Sequence, residues 1–449
     1  MTAIKINIGR HIPSLYSPVA RVLSWLLMLE CLMLLIPMAT SLACGEHDWP
    51  GFAIAAALSG VVGAFGTILF RASATKLNRR DAFMLISFVW ILFSVVSMIP
   101  FVMAAAPLSP ADAFFESISG FTTTGATTIA DVEAQSHGIL LWRAMTQWIG
   151  GLGIVLFLIA LLPALNDTGG IMMFNAEITG MTHDKLHPRI KQTAMSLWTL
   201  YLSLTVLLAI LLVTEGMSLF DSICQAMATL STGGFSTRNG SIASWDSPGI
   251  AATIGIFMLL GGMNFMLLYN ALHGHLRRMW HNDVLRIYLG VVASFAAVTG
   301  ITIYLSGLGD GFAQTVVAPF FHIVSAITST GFSYADYALW GALPLLLTMI
   351  VMATGACAGS TTGAIKLDRI AAVFKNLKRE ITLTVFPHRV EKFSVGGRNV
   401  TDCMMLRVAG FLTLYALIFV AGCVAMSAFG YPLLDSAFAS LSCIGNNGL

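Results

Sequence analysis

The stretch Asp112-Ala-Phe-Phe-Glu-Ser-Ile-Ser-Gly-Phe-Thr-Thr-Thr-Gly125 decides the fold, because its pattern returns three times. It comes back as Asp221-Ser-Ile-Cys-Gln-Ala-Met-Ala-Thr-Leu-Ser-Thr-Gly-Gly234 and as Ala318-Pro-Phe-Phe-His-Ile-Val-Ser-Ala-Ile-Thr-Ser-Thr-Gly331. The last copy is Asp435-Ser-Ala-Phe-Ala-Ser-Leu-Ser-Cys-Ile-Gly-Asn-Asn-Gly448. Each ends in glycine, with Asp, Asp, Ala or Asp thirteen residues upstream, and the glycines fall 109, 97 and 117 residues apart. Unrelated turn-forming connections would not keep one order of apolar span, short helix, glycine and span. An internal repeat of this kind sets the architecture.

What surrounds the repeats is apolar. Of 449 residues, 57% are hydrophobic and 10% charged, with a mean hydropathy of +0.81. Soluble domains carry about 25% charge, so a soluble enzyme, a disordered tail and a nucleic-acid binder are excluded. A net charge of +2 offers nothing to a polyanion. Apolar runs bounded by charge predict nine spans, near 20–44, 51–70, 82–105, 139–165, 193–214, 248–272, 286–306, 341–365 and 403–428. The run from Pro18 to Cys44 is too long for a signal peptide and reads as a retained first helix. The repeat segments, near 110–125, 218–234, 315–331 and 433–448, are too short to cross a core about 30 Å thick.

Lys and Arg set the orientation. Of the 24 basic residues, 22 fall on one side under this reading; only Arg143 and Arg238 fall on the other. The crowded side is expected to be cytoplasmic. The short segments then enter from outside and return. Every repeat crosses twice, so consecutive repeats are parallel around an axis along the membrane normal. The expected fold is an all-α polytopic membrane protein with four parallel helix–pore-loop–helix repeats around a central pore, and an extra N-terminal helix pair. The boundaries read 1–75 for that pair, then 76–185, 186–280, 281–395 and 396–449 for the repeats. The chain stops at Leu449, one residue past the fourth glycine, so that repeat is expected to lack its final helix.

Asp112, Asp221 and Asp435 suit helix N-caps. Short helices starting there would aim their partly negative ends at the membrane centre, where four of them favour a cation. The candidate filter residues follow: Thr122, Thr123, Thr124 and Gly125; Ser231, Thr232, Gly233 and Gly234; Thr328, Ser329, Thr330 and Gly331; Gly445, Asn446, Asn447 and Gly448. Glycine lets the backbone turn its carbonyls to an axis, and carbonyl rings can replace the hydration shell of potassium. The eighth span holds a second candidate, Ala353-Thr-Gly-Ala-Cys-Ala-Gly-Ser-Thr-Thr-Gly-Ala364. Gly355, Gly359 and Gly363 suit a small-residue packing face. Ser360, Thr361 and Thr362 favour instead a break over 353–364, since hydroxyls satisfy freed backbone groups. Gly150-Gly151-Leu-Gly153 and Gly261-Gly262-Met-Asn264 read as packing or bend sites in the related spans.

The segments 115–127, Ser-Thr-Gly-Gly-Phe-Ser over 231–236 and Gly-Ala-Cys-Ala-Gly-Ser-Thr-Thr-Gly-Ala-Ile-Lys over 355–366 resemble the TrkH branch of the Trk/Ktr/HKT potassium-transporter superfamily. The resemblance spans nearly the whole chain. It implies potassium uptake across the bacterial inner membrane, with K+ as the transported ion and no organic cofactor. It implies a homodimer with one pore per subunit and a gating loop at 355–363. It also implies a cytoplasmic TrkA-like regulatory subunit with nucleotide-binding RCK domains. The basic stretch from Lys366 to Arg398 then suits either anionic lipid or docking of that subunit.

Other residues are read more plainly. The seven cysteines form no CxxC pair and lie mostly in apolar runs, so they are expected to be small buried hydrophobes rather than a metal site. Glu116 is expected to pair or cap, and Glu30 is the one acidic residue deep in an apolar run. No nucleophile–base constellation sits in a span, which argues against an intramembrane enzyme. The alternative is a secondary transporter of a small solute with broken helices. Such carriers show two inverted halves, where this chain shows four parallel units.

Overall fold

The computed structural model describes residues 17–70, 79–153, 190–309, 311–389 and 392–449. Six of its helices are long and apolar enough to cross a membrane: α1 Ser17–Ala43, α2 Trp49–Leu69, α3 Arg79–Val102, α6 Ile190–Thr214, α11 Asp283–Leu305 and α15 Asp402–Ala428. They make this a multi-pass membrane protein. The other helices are shorter. They are α4 Pro110–Phe121, α5 His137–Gly151, α7 Leu219–Leu230, α8 Pro248–Gly261, α9 Phe265–Leu272, α10 Leu276–Trp280, α12 Ala318–Ile327, α13 Ala342–Thr354, α14 Leu367–Val385 and α16 Leu433–Gly445. A two-stranded hairpin pairs Ser394–Val395 with Arg398–Asn399.

Two of the nine expected spans change among the described residues. The 248–272 run is two helices, α8 and α9, bent by 104° at a short break. Asn264 makes the break: its Oδ1 accepts from Met266 N and Leu267 N at 2.9 and 3.2 Å, so it caps a new helix where the old one stops. The 341–365 run stops being helical at Thr354. For 139–165, helix α5 ends at Gly151, and the continuation over 154–165 lies outside the described residues.

The four short segments do form short helices, α4, α7, α12 and α16, of 12, 12, 10 and 13 residues. Half of α4 and most of α7 and α12 are buried, whereas the long helices expose apolar side chains on one face. On α2, Val61, Phe65 and Ile68 are exposed at helical spacing. Lipid is the environment in which such a face costs nothing. The opposite face of α2 carries Gly60, Gly63 and Gly66, where a side chain would press on Cys31, Met28 and Ser24 of α1. Small residues let two helices approach closely where no hydrophobic effect drives them together. Ser97 of α3 donates to Glu30 of α1 at 2.9 Å, tying the pair to the first repeat.

Candidate functional site

The expected N-caps require a correction. The capping residue is not Asp112 or Asp221 but the serine three positions earlier. Ser109 Oγ accepts from Asp112 N at 3.2 Å and donates to Asp112 Oδ2 at 2.6 Å. Ser218 does the same with Asp221, at 3.0 and 2.9 Å. Serine is the cap, and the aspartate at the third position holds the serine hydroxyl in return. Pro432 occupies the cap before Asp435, and a π turn, Ala313–Val317, leads into α12. The carboxylates still sit in the first turn, where the helix dipole favours them.

At their other ends the four helices stop identically. The N–H of Thr124, Gly233, Thr330 and Asn447 reaches back five residues to the carbonyls of Ser119, Ala228, Ser325 and Ser442, each at 2.9 Å. That is the long bond of a Schellman stop. The residue before it is left-handed in every copy: Thr123, Thr232, Ser329 and Asn446 have φ of 57°, 54°, 54° and 53°. For β-branched threonine this is a genuine outlier. Such positions cost about 1–3 kcal/mol and persist where the surroundings over-determine them, characteristically at functional sites. Gly125, Gly234, Gly331 and Gly448 then follow with φ of 80°, 79°, 81° and 73°. Gly445, read as the first residue of the fourth filter, is the last residue of α16.

The four turns are neighbours in a closed cycle. A Cβ at Gly125 would lie closer than 3.0 Å to the carbonyl oxygen of Gly233. One at Gly234 would meet that of Thr330, one at Gly331 that of Asn447, and one at Gly448 that of Thr124. Each glycine thus abuts the carbonyl before the next copy's glycine, and the fourth returns to the first. Side chains reinforce the ring. Thr124 Oγ1 donates to Asn446 Oδ1 at 2.9 Å, and Asn447 Nδ2 to the Ala326 carbonyl at 2.6 Å. Thr122 pairs with Thr124, and Thr328 with Thr330, at 2.8 and 2.7 Å.

Behind the ring stand two residues that sequence reasoning missed. Gln147 on α5 donates to the Gly233 carbonyl at 2.6 Å and accepts from Phe235 N at 3.0 Å. Arg143, one turn earlier, was counted only as an outward charge. It is buried, with Nε 2.7 Å from Glu116 Oε1. It also donates to the Ser236 carbonyl at 3.0 Å and lies over the Phe235 ring. Glu116 accepts in addition from Thr127 and Thr128 N, so its structural reading holds. Removing one partner of such a buried pair typically costs about 3–5 kcal/mol. An i, i+4 pair of polar residues in an otherwise apolar helix was the available signal.

Glycine pairs fit the second helices between the turns. Gly150 faces the Phe121 carbonyl and Gly151 faces Ser231; Gly261 faces Thr232 and Gly262 faces Thr328. A side chain at Gly150 or Gly151 would push the backbone at the end of α4 or α7, and one at Gly262 would meet the Tyr288 hydroxyl and the Thr328 methyl.

The segment after Thr354 leaves the helix at Gly355, φ 66°, and α14 begins at Leu367. Its backbone is bonded to the break between α8 and α9. Cys357 N donates to the Gly262 carbonyl at 3.1 Å, Phe265 N to that of Gly359 at 3.0 Å, and Asn264 Nδ2 to that of Ala358 at 2.8 Å. Thr361 Oγ1 lies 3.2 Å from the Leu230 carbonyl, 3.3 Å from that of Gly261 and 3.3 Å from Thr232 Oγ1. Gly363 abuts the carbonyl of Gly445. Leu230 and Gly445 end α7 and α16, the second and fourth members of the cycle, which face each other across it. The loop therefore reaches from one to the other. Ser360 and Thr362 pair within it at 2.8 Å, and Gly359 lies against the Asn264 side chain. Lys366 departs from its reading as the start of an exposed basic stretch. It is buried, with Nζ bonded to the Thr362 carbonyl, to Thr362 Oγ1 at 2.8 Å and to Ser360 Oγ at 3.4 Å.

The cysteines follow expectation only in part. Cys224 and Cys357 are buried, while Cys44, Cys403 and Cys443 are exposed.

Known proteins resemble this chain in sequence and in overall fold. A family model described as TrkH, cation transport protein, matches residues 49–284 and 311–449. The Trk system potassium uptake protein TrkH of Salmonella typhimurium is 37% identical over 393 residues, covering 86% of this chain and 80% of that protein. The TrkH of Halomonas elongata is 34% identical over 435 residues, covering 96% and 89%. The crystal structure of the potassium transporter TrkH from Vibrio parahaemolyticus superposes with a TM-score of 0.86 at 28% identity, covering 97% of this chain and 90% of that one. By family model, by sequence and by structure, this chain belongs to the TrkH cation transport protein family.

Proposed function

We propose that the chain takes up potassium across a bacterial inner membrane, with its N-terminus in the cytoplasm. The ion would pass along the axis of the four turns, with Thr122–Gly125, Ser231–Gly234, Thr328–Gly331 and Gly445–Gly448 as the filter. The observation that carries this reading is the closed cycle of glycines and carbonyls, with the same left-handed turn in four copies. No carboxylate stands in the filter segments, so neutral oxygens do the coordination. Four helix C-termini add their partial negative charge. The potassium uptake named in the relatives supports the ion's identity.

The loop over 355–363 acts as the gate. Its support is its position, strung between facing members of the cycle by Thr361 and Gly363 and attached by several separable hydrogen bonds. Control would come from a TrkA-like RCK subunit docking on the basic cytoplasmic stretch, and the transporter would work as a homodimer with one pore per chain. These rest on the family resemblance.

Expression in a potassium-uptake-deficient bacterium tests the reading. The chain is expected to restore growth at low external potassium and to carry rubidium as a tracer. A chain that reaches the membrane yet carries neither would overturn it, and solute uptake without either ion would favour a broken-helix carrier instead.

A further inference from the structure

We propose that Cys44, Glu46 and His137 form a binding site for a divalent transition cation of the zinc class, separate from the filter. Cys44 Sγ, a Glu46 carboxylate oxygen and a His137 ring nitrogen all lie within 4.8 Å of one another. Thiolate, carboxylate and imidazole are the ligands zinc takes, at about 2.0–2.3 Å. Tetrahedral bonds of that length hold their ligand atoms roughly 3.3–3.8 Å apart. The thiol therefore needs to close by about an ångström, and the Glu46–His137 hydrogen bond of 2.7 Å needs to open by less.

The donors are held in place beforehand. Cys44 N and Glu46 N bond back to the last turn of α1, each at 2.9 Å. Asp48 Oδ1 fixes the loop's far end by accepting from Ala105 N at 2.8 Å. Glu46 is steadied by the N–H groups of His137 and Gly138 at 2.8 and 3.2 Å. The His137 ring packs edge-on against Phe220, 4.7 Å between centroids. Carboxylates have about four acceptor sites, so these bonds leave room for a metal. Capping of α5 accounts for Glu46 alone; it requires neither a thiol nor an imidazole beside it. Cys44 and His137 are exposed, which leaves the remaining coordination position to water, as in open zinc sites. The site joins the α1–α2 loop to the head of α5, the helix that carries Arg143 and Gln147 to the filter. The sequence hid it because His137 lies 91 residues from Glu46.

The test is a titration of the purified full chain in detergent micelles with cobalt(II), a coloured stand-in for zinc. One equivalent is expected to produce a near-ultraviolet thiolate-to-cobalt band that zinc abolishes. Cys44→Ser should remove the band, and His137→Ala should weaken binding about 10-fold or more, as loss of a metal-site group does. Cys403→Ser and Cys443→Ser should leave it intact. No band in the native chain up to about 1 mM cobalt, a band that survives Cys44→Ser, or equal affinity in His137→Ala would each overturn the proposal. Both side chains are exposed, and unchanged thermal melting without metal verifies the fold of each variant.

Discussion

Gly331→Ser is expected to cut rubidium uptake about 10-fold or more while leaving the amount of protein in the membrane nearly unchanged. Two costs fall on one atom. The position has φ of 81°, which only glycine adopts freely. The added Cβ would also meet the carbonyl oxygen of Asn447, which is backbone and can yield only by moving the neighbouring turn. A strain of about 1–3 kcal/mol corresponds to a factor of roughly 5–150 in the population of an intact ring. The helices that hold the protein in the membrane do not depend on that atom, so uptake and abundance should separate. Uptake equal to that of the native chain would remove Gly331 from the filter. The same substitution at Gly307, which is also left-handed but has open space around it, is the control and should leave uptake unchanged.

Deleting 355–363 is expected to raise flux about 10-fold or more in the absence of any regulatory partner. The loop is tethered across the cycle by the bonds of Thr361, Asn264 and Cys357. Each such bond nets about 0.5–1.5 kcal/mol, and a few together favour the closed arrangement by one to a few powers of ten. Thr361→Ala is the milder version. It removes the contacts with the Leu230 and Gly261 carbonyls without altering chain length, and should raise flux by several-fold. Unchanged flux in both variants, with protein present in the membrane, would reject the loop as a gate.

The repeat was legible because turn geometry forces its residues. The glycine that closes each turn is left-handed and packs against the next copy's carbonyl, where no side chain fits, and four glycines at near-regular spacing cannot be hidden. The break after Thr354 was legible for a related reason, since three glycines and three hydroxyls within nine residues are poor material for an apolar span. What escaped was everything set by approach across the fold. Thr123, Thr232 and Ser329 carry no sequence mark of the left-handed backbone that the helix stop gives them. Gln147 and Arg143 look like incidental polar residues until the turn after Gly233 arrives beside them. Lys366 stands first in a basic run and reads as exposed; the oxygens of Ser360 and Thr362 draw it inside. The caps at Asp112 and Asp221 were misassigned by three residues because serine and aspartate are both good caps, and only the serine's hydrogen bond to the aspartate N–H tells which of them acts.

Crystals of the protein soaked in rubidium give the most direct measurement. Anomalous density is expected on the axis between the turns ending in Gly125, Gly234, Gly331 and Gly448, with main-chain carbonyl oxygens from all four around each ion. Rubidium bound only outside that ring, with the axis closed and dry, would contradict the assignment of the filter.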